Sequence, residues 1–132
     1  VPQYEKAVEK SRWTEALAVG KSIYQAQEVY KMANGSYATS YNDLDITLPG
    51  TGNTDGTQYT TKNFTYHFGV GGVPHISRRQ YSGRWLIVLP GQGLYCHTPK
   101  GDTAGNTFCK GLTNSEAETC STESGYNCYL VK

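Results

Sequence analysis

Cys96, Cys109, Cys120 and Cys128 are the side chains here with the widest chemistry open to them, and their spacing narrows it. No two stand in a C-x-x-C, so a zinc ribbon or a thioredoxin-type redox pair loses its main support. An even number of cysteines crowded into a Gly-, Thr- and Ser-rich stretch reads instead as a disulfide framework made in an oxidising compartment. Four cysteines allow three pairings. Cys96–Cys109 and Cys120–Cys128 are favoured because they close short, turn-rich loops at the least entropic cost, each bridge contributing about 2–4 kcal/mol.

The other reactive types form no catalytic constellation. His67, His75 and His97 are the only histidines, and none stands in an H-x-x-x-H spacing. His97 follows Cys96, which admits a metal or Cys–His nucleophile reading; a bridged cysteine followed by a surface histidine on a turn is the simpler one. His67 falls on the polar side of an alternating run and is expected to be exposed. No G-x-S-x-G occurs, and the Gly-rich stretch from Gly50 to Gly56 lacks the Gly-Lys-Ser/Thr ending that grips phosphate. Asp43 with Asp45, and Glu116 with Glu118, lack the oxygen-rich run of a dedicated calcium site. No catalytic residue, cofactor or metal is therefore assigned, and the chain is not expected to be an enzyme. Arg78, Arg79, Tyr81, Arg84 and Trp85 do gather three guanidinium groups and two aromatics within eight residues. Such a patch suits single-stranded DNA or an anionic glycan by stacking plus charge. The favoured reading is plainer: charge that protects a sheet edge from unwanted pairing.

The elements that must hold these residues change character near Asn34-Gly35. Of 15 Gly and 5 Pro, residues 3–33 contain Gly20 alone. Ala16, Val19, Ile23, Ala26, Tyr30 and Ala33 step by 3, 4, 3, 4 and 3, one face of an α-helix, which Leu17 and Tyr24 widen. Pro2 suits the first turn and Asn34-Gly35 a left-handed cap. About 31 residues make a rod of roughly 46 Å, too long for a globule whose radius of gyration is about 14 Å, so one end should project. Its upstream charges, Glu5, Lys6, Glu9, Lys10, Arg12 and Glu15, fall partly at i,i+3 spacing. Residues 34–60 read as a long connection anchored by Tyr37, Tyr41, Leu44, Ile46 and Leu48. Phe64, Tyr66 and Phe68 then alternate with Thr65 and His67 as a half-buried strand. Val73 to Gln80 follows as a strand in which Pro74 demands a start or an edge. Trp85 to Leu89 is the best central strand.

Taken together this is a single α+β domain: a long N-terminal α-helix (1–33) across a three- to four-stranded antiparallel sheet (61–95), with a disulfide-closed region at 96–132. The 132 residues suit one core, and a net charge of +1 gives no bulk attraction to nucleic acid or acidic membranes. No run reaches the roughly 20 apolar residues of a membrane span, nor does a basic, apolar leader open the chain.

Val1-Pro2-Gln3-Tyr4, followed by a charged helix with Ala7, Ser11, Glu15 and Ala16, resembles the stretch just after the hydrophobic segment of type IV pilins and pseudopilins. Asn34-Gly35-Ser36-Tyr37, Leu44-Asp45-Ile46 and a C-terminal region closed by disulfides are also similar to that family. The resemblance covers the whole chain in layout and residues 1–16 and 34–46 in motif. In the family a leader and about 20 apolar residues precede this point; here the sequence starts inside that ending. The resemblance implies a subunit first anchored in the bacterial inner membrane by the missing segment. Assembly machinery then packs copies helix-against-helix into an extracellular filament for adhesion, motility or DNA uptake. It assigns Tyr4, Glu5, Lys6, Val8, Glu9 and Arg12 to subunit packing, Trp13, Leu17, Ile23 and Tyr24 to the core, and the cysteines to stapling. Two variants are the major pseudopilin of a type II secretion system, and a minor pilin binding DNA or a surface glycan through Arg78, Arg79, Tyr81 and Arg84.

Overall fold

Helix α1 runs unbroken over Pro2–Asn34, about 50 Å of α-helix. It ends as its sequence demands. Gly35 takes φ +84° and its N–H bonds to the Lys31 carbonyl at 2.8 Å, a left-handed cap that costs a residue without Cβ nothing. The computed structural model describes the backbone of residues 2–69, 72–80, 83–121 and 123–131, and side chains from residue 7 onward.

The buried line of α1 is Trp13, Ala16, Gly20, Ile23 and Gln27. Val19, Ala26 and Tyr30 flank it half-buried, and Ala33 is exposed. The helix is thus turned from the face that hydrophobicity alone picks out, for two reasons. A Cβ on Gly20 would lie 2.9 Å from Leu94, so glycine lets helix and sheet approach closely. Gln27, though polar, is satisfied: its amide donates to the Ala38 carbonyl at 3.0 Å and its oxygen accepts from the Ala38 N–H at 2.8 Å. Leu17 and Tyr24 pack half-buried against the core that holds Trp13 and Ile23.

The described residues form eight strands, not three or four. They are β1 (Thr51–Gly52), β2 (Gln58–Thr60), β3 (Phe64–Phe68), β4 (Pro74–Arg78), β5 (Trp85–Leu89), β6 (Gly93–Pro99), β7 (Ala117–Thr119) and β8 (Tyr126–Leu130). Every pairing is antiparallel, in the order β1-β2-β3-β4-β5-β6-β8-β7. The central four match the expected meander; the additions are short strands within 34–60 and beyond residue 95. Pro74 opens β4, where its missing N–H does least harm. The 34–60 connection also holds a 3-10 turn (Tyr41–Asp43) and is tied down by buried Tyr41, Leu44 and Leu48. The Tyr41 hydroxyl donates to the His67 carbonyl at 2.9 Å.

A second helix, α2 (Thr103–Thr113), was not expected from its Thr- and Gly-rich sequence. Asp102 caps it by accepting from the Gly105 N–H at 2.8 Å, and Asn114 ends it in the left-handed region. Cys109 on α2 is bridged to Cys96 on β6, and Cys120 to Cys128 on β8. Both are the favoured pairs. One sheet face meets α1 and α2 through Phe64, Tyr66, Ile76, Leu86, Val88 and Cys96. The other buries a smaller cluster of Val73, Ile87, Leu89, Tyr95, Cys120 and Cys128.

Candidate subunit interface

The lower part of α1 is joined to the sheet by a charged contact. Glu9 and Arg78 pair as two forks: Arg78 Nε donates to Glu9 Oε2 at 2.7 Å and Nη2 to Oε1 at 2.9 Å. The Trp13 indole N–H adds a third bond to Glu9 Oε2 at 2.9 Å. Partial burial alone would raise the Glu9 pKa, but hydrogen bonds from Arg78 and Trp13 and the Arg78 charge hold it below the usual carboxylate range. Trp13 meets Phe64 edge-on at 5.0 Å and Phe108 of α2 at 5.2 Å, so the contact sits where both helices reach the sheet. Glu9 was expected to meet other subunits; its carboxylate is instead occupied within its own chain. Arg12 remains exposed with Nη1 3.4 Å from Glu9, and Val8 is half-buried. Tyr4, Glu5 and Lys6 lie on the first turns of α1, with side chains outside the described residues.

The arginines do not form one exposed patch. Arg78 is 4% exposed and belongs to the Glu9 pair. Arg84 is half-buried, its guanidinium 4.9 Å from the centre of the Phe108 ring. Arg79 is exposed and donates to the Thr61 carbonyl at 2.8 Å. Tyr81 lies outside the described residues. Edge protection fails as well, because β4 and β5 are interior strands and the sheet ends at β1 and β7.

The histidines are more buried than expected. Strand register sets His67 against His75 and Trp85 against His97 on the sheet face away from α1. The His67 and His75 rings are 5.7 Å apart, and His75 and His97 6.1 Å. His67 is half-buried and shares a 2.9 Å hydrogen bond with Ser77. His97, which was expected at the surface, is 2% exposed and stacks on Tyr126 at 4.5 Å. Burial first, and His75 second, push His97 down to about 4; the Glu123 carboxylate, 3.3 Å away, does not reverse this. The neighbouring Cys96 is bridged, so a Cys–His nucleophile has no thiol there. Among the described residues no group of three or more His, Cys, Asp or Glu side chains is arranged to hold a metal ion.

Farther up α1, an open groove of about 400 Å³ lies between its second half and the 3-10 turn. Ala26, Val29, Ala33 and Ile46 form its apolar lining, with Asp43 and Asp45 beside them. Val29 is 62% exposed and nearby Met32 87%. In the sequence Asp43 and Asp45 read only as a carboxylate pair without the oxygen-rich run of a calcium site; the groove needs α1 and the 3-10 turn side by side, a contact no local pattern reveals. Compared with protein-family models, curated proteins and solved structures, the chain matches none.

Proposed function

We propose that this chain is the structural subunit of a type IV pilus or pilus-like filament, displayed outside a bacterial cell. The observation that carries the reading is the helix. Helix α1 is an unbroken rod of about 50 Å, yet among its described side chains, from residue 7 on, the first fully buried one is Trp13. Residues 2–8 carry the helix about 10 Å past the Glu9–Arg78 contact, which suits a stem better than a core element. Two disulfides suit exposure to an oxidising exterior. The pilin-like motifs at 1–16 and 34–46 agree with this architecture. A DNA- or glycan-binding role through the arginines has less support, since Arg78 is buried in an internal ion pair.

The test is immunogold electron microscopy of the source cells with antibodies raised against the 132-residue chain. Gold along thin surface filaments is the expected result. Gold confined to the cytoplasm, or spread over the envelope with no filament, overturns the reading.

A further inference from the structure

We infer that the groove beside the second half of α1 is a socket for a second copy of this chain, filled by the basic lower end around Lys10 and Arg12. Copies then stack head to tail. This rests on the filament reading and names the surfaces that meet in it.

Three observations support the socket. It is open and sets apolar Ala26, Val29, Ala33 and Ile46 among polar Ser22, Gln25 and Asn34, and Val29 in the lining and Met32 one turn along the helix are large apolar side chains left in water. Large apolar side chains left in water at the rim of a groove mark contact sites. The charged side chains among its lining are Asp43 and Asp45, both exposed, so it favours an apolar surface that carries cations.

The chain bears such a surface at its other end. From Val29 down α1 to Arg12 is about 25 Å. Around the Glu9–Arg78 contact lie exposed Lys10, Arg12, Lys62 and Arg79. Arg12 is within 3.4 Å of Glu9, and Arg79 reaches the Thr61 carbonyl beside Lys62. Among the described side chains of the lower helix, Glu15 is the opposing exposed charge. Ala7 is exposed and Val8 half-buried on the same turns, which supplies apolar contact.

The arrangement also selects the symmetry. A two-fold dimer through the groove would set Asp43 and Asp45 against their own copies, and one through the lower end would oppose Lys10 and Arg12. Pairing unlike ends avoids both repulsions. Such a heterologous contact, when its rotation does not close a ring, propagates as a filament. Val29 and Met32 would then pass from water into an interface.

The experiment uses the complete gene in its source bacterium. Reversing the groove charge with Asp43→Lys and Asp45→Lys should cut filament yield about tenfold or more. Lys10→Glu with Arg12→Glu should do the same, and all four together should restore filaments. The purified Asp43→Lys and Asp45→Lys chain should keep the wild-type urea midpoint, since both side chains are exposed; Arg12→Glu gives up its 3.4 Å contact with Glu9 and lowers the midpoint, so restoration of filaments by all four reversals is what separates a lost contact from lost folding. A photo-cross-linker at Met32 in intact filaments should join peptides containing residues 7–15, 62 or 79 of another copy. Filaments insensitive to both pairs of reversals, or cross-links to other segments or to a cationic region of a different protein, overturn the socket and leave the filament reading standing. Wild-type cells without labelled filaments overturn both.

Discussion

Glu9 shows how a residue that reads as surface charge becomes structural. Its spacing to Lys6 and Arg12 invites helix-surface pairs worth only a few tenths of a kcal/mol each. Arg78, 69 positions away, gives it a partner of another order: a forked pair with the arginine side chain 2% exposed. Glu9→Gln should cost about 3 kcal/mol, mainly by leaving the buried guanidinium without its anion. Arg78→Lys keeps the charge but loses the fork, so it should also destabilise. Urea unfolding checks both, and a change within 0.5 kcal/mol, as expected of an ordinary surface pair, would contradict the assignment. The histidines carry a pH prediction. Burial is the first cause lowering the folded-state pKa of His67, His75 and His97, with His97 reaching about 4. The unfolded chain therefore binds more protons on acidification. Their contribution is intact above about pH 6.5 and drains away as the pH falls toward 4. For His97 alone the loss reaches on the order of 3 kcal/mol by pH 4. Glu9, also lowered, adds a loss below its ordinary value of 4.5. Stability measured by urea from pH 7 to 4 should fall, and His97→Phe, which keeps a ring against Tyr126, should flatten the slope. An unchanged slope would sink the assignment.

Among the elements, the seam between α1 and the sheet was partly legible. Trp13, Ala16 and Ile23 at helical spacing identify a buried face, and the Asn34-Gly35 cap marks the helix end within a residue. Gly20 and Gln27 escape a hydrophobicity pattern, because one is buried by close approach and the other by hydrogen bonds to Ala38. Gly20→Ala should be close to neutral. It recovers about 1 kcal/mol of helix propensity and asks only the ends of two flexible side chains, Leu94 at 2.9 Å and Ile76 at 3.3 Å from the new Cβ, to move. Gly20→Leu has no such escape and should cost about 1–3 kcal/mol by overpacking. Thermal unfolding of both variants separates the cases; a tolerated Leu would mean that helix and sheet are not held this closely. Helix α2 was missed because Gly105, Gly111 and three threonines are poor helix formers. Tertiary contacts override that preference. A Cβ at Gly105 would lie 2.1 Å from Thr98 Oγ1, so only glycine fits there. The available signals were Asp102 at the N-cap and the i,i+4 pair Phe108 and Leu112.

For the molecule as a whole, the disulfides join the C-terminal region to the sheet. Cys96–Cys109 ties α2 to β6, across a sheet face shared with α1. Replacing both cysteines with alanine should cost about 2–4 kcal/mol. Because α2 is weak alone, amide exchange should rise there more than in β5; uniform protection would contradict that view. Sequence alone determined a long helix followed by antiparallel strands, since periods of 3.6 and 2 are local properties; it favoured one cysteine pairing of three, since short loops close at low entropic cost, and the structure chose that one. The tertiary structure decided what depends on residues distant in the chain. It added two- and three-residue strands that exist only because a neighbour pairs with them, took Glu9 and Arg78 out of the surface inventory, and buried His97. It also set an apolar groove beside Asp43 and Asp45. Local patterns record which face of an element is apolar; which other element covers that face, and how much is left in water, is settled only when the whole chain packs.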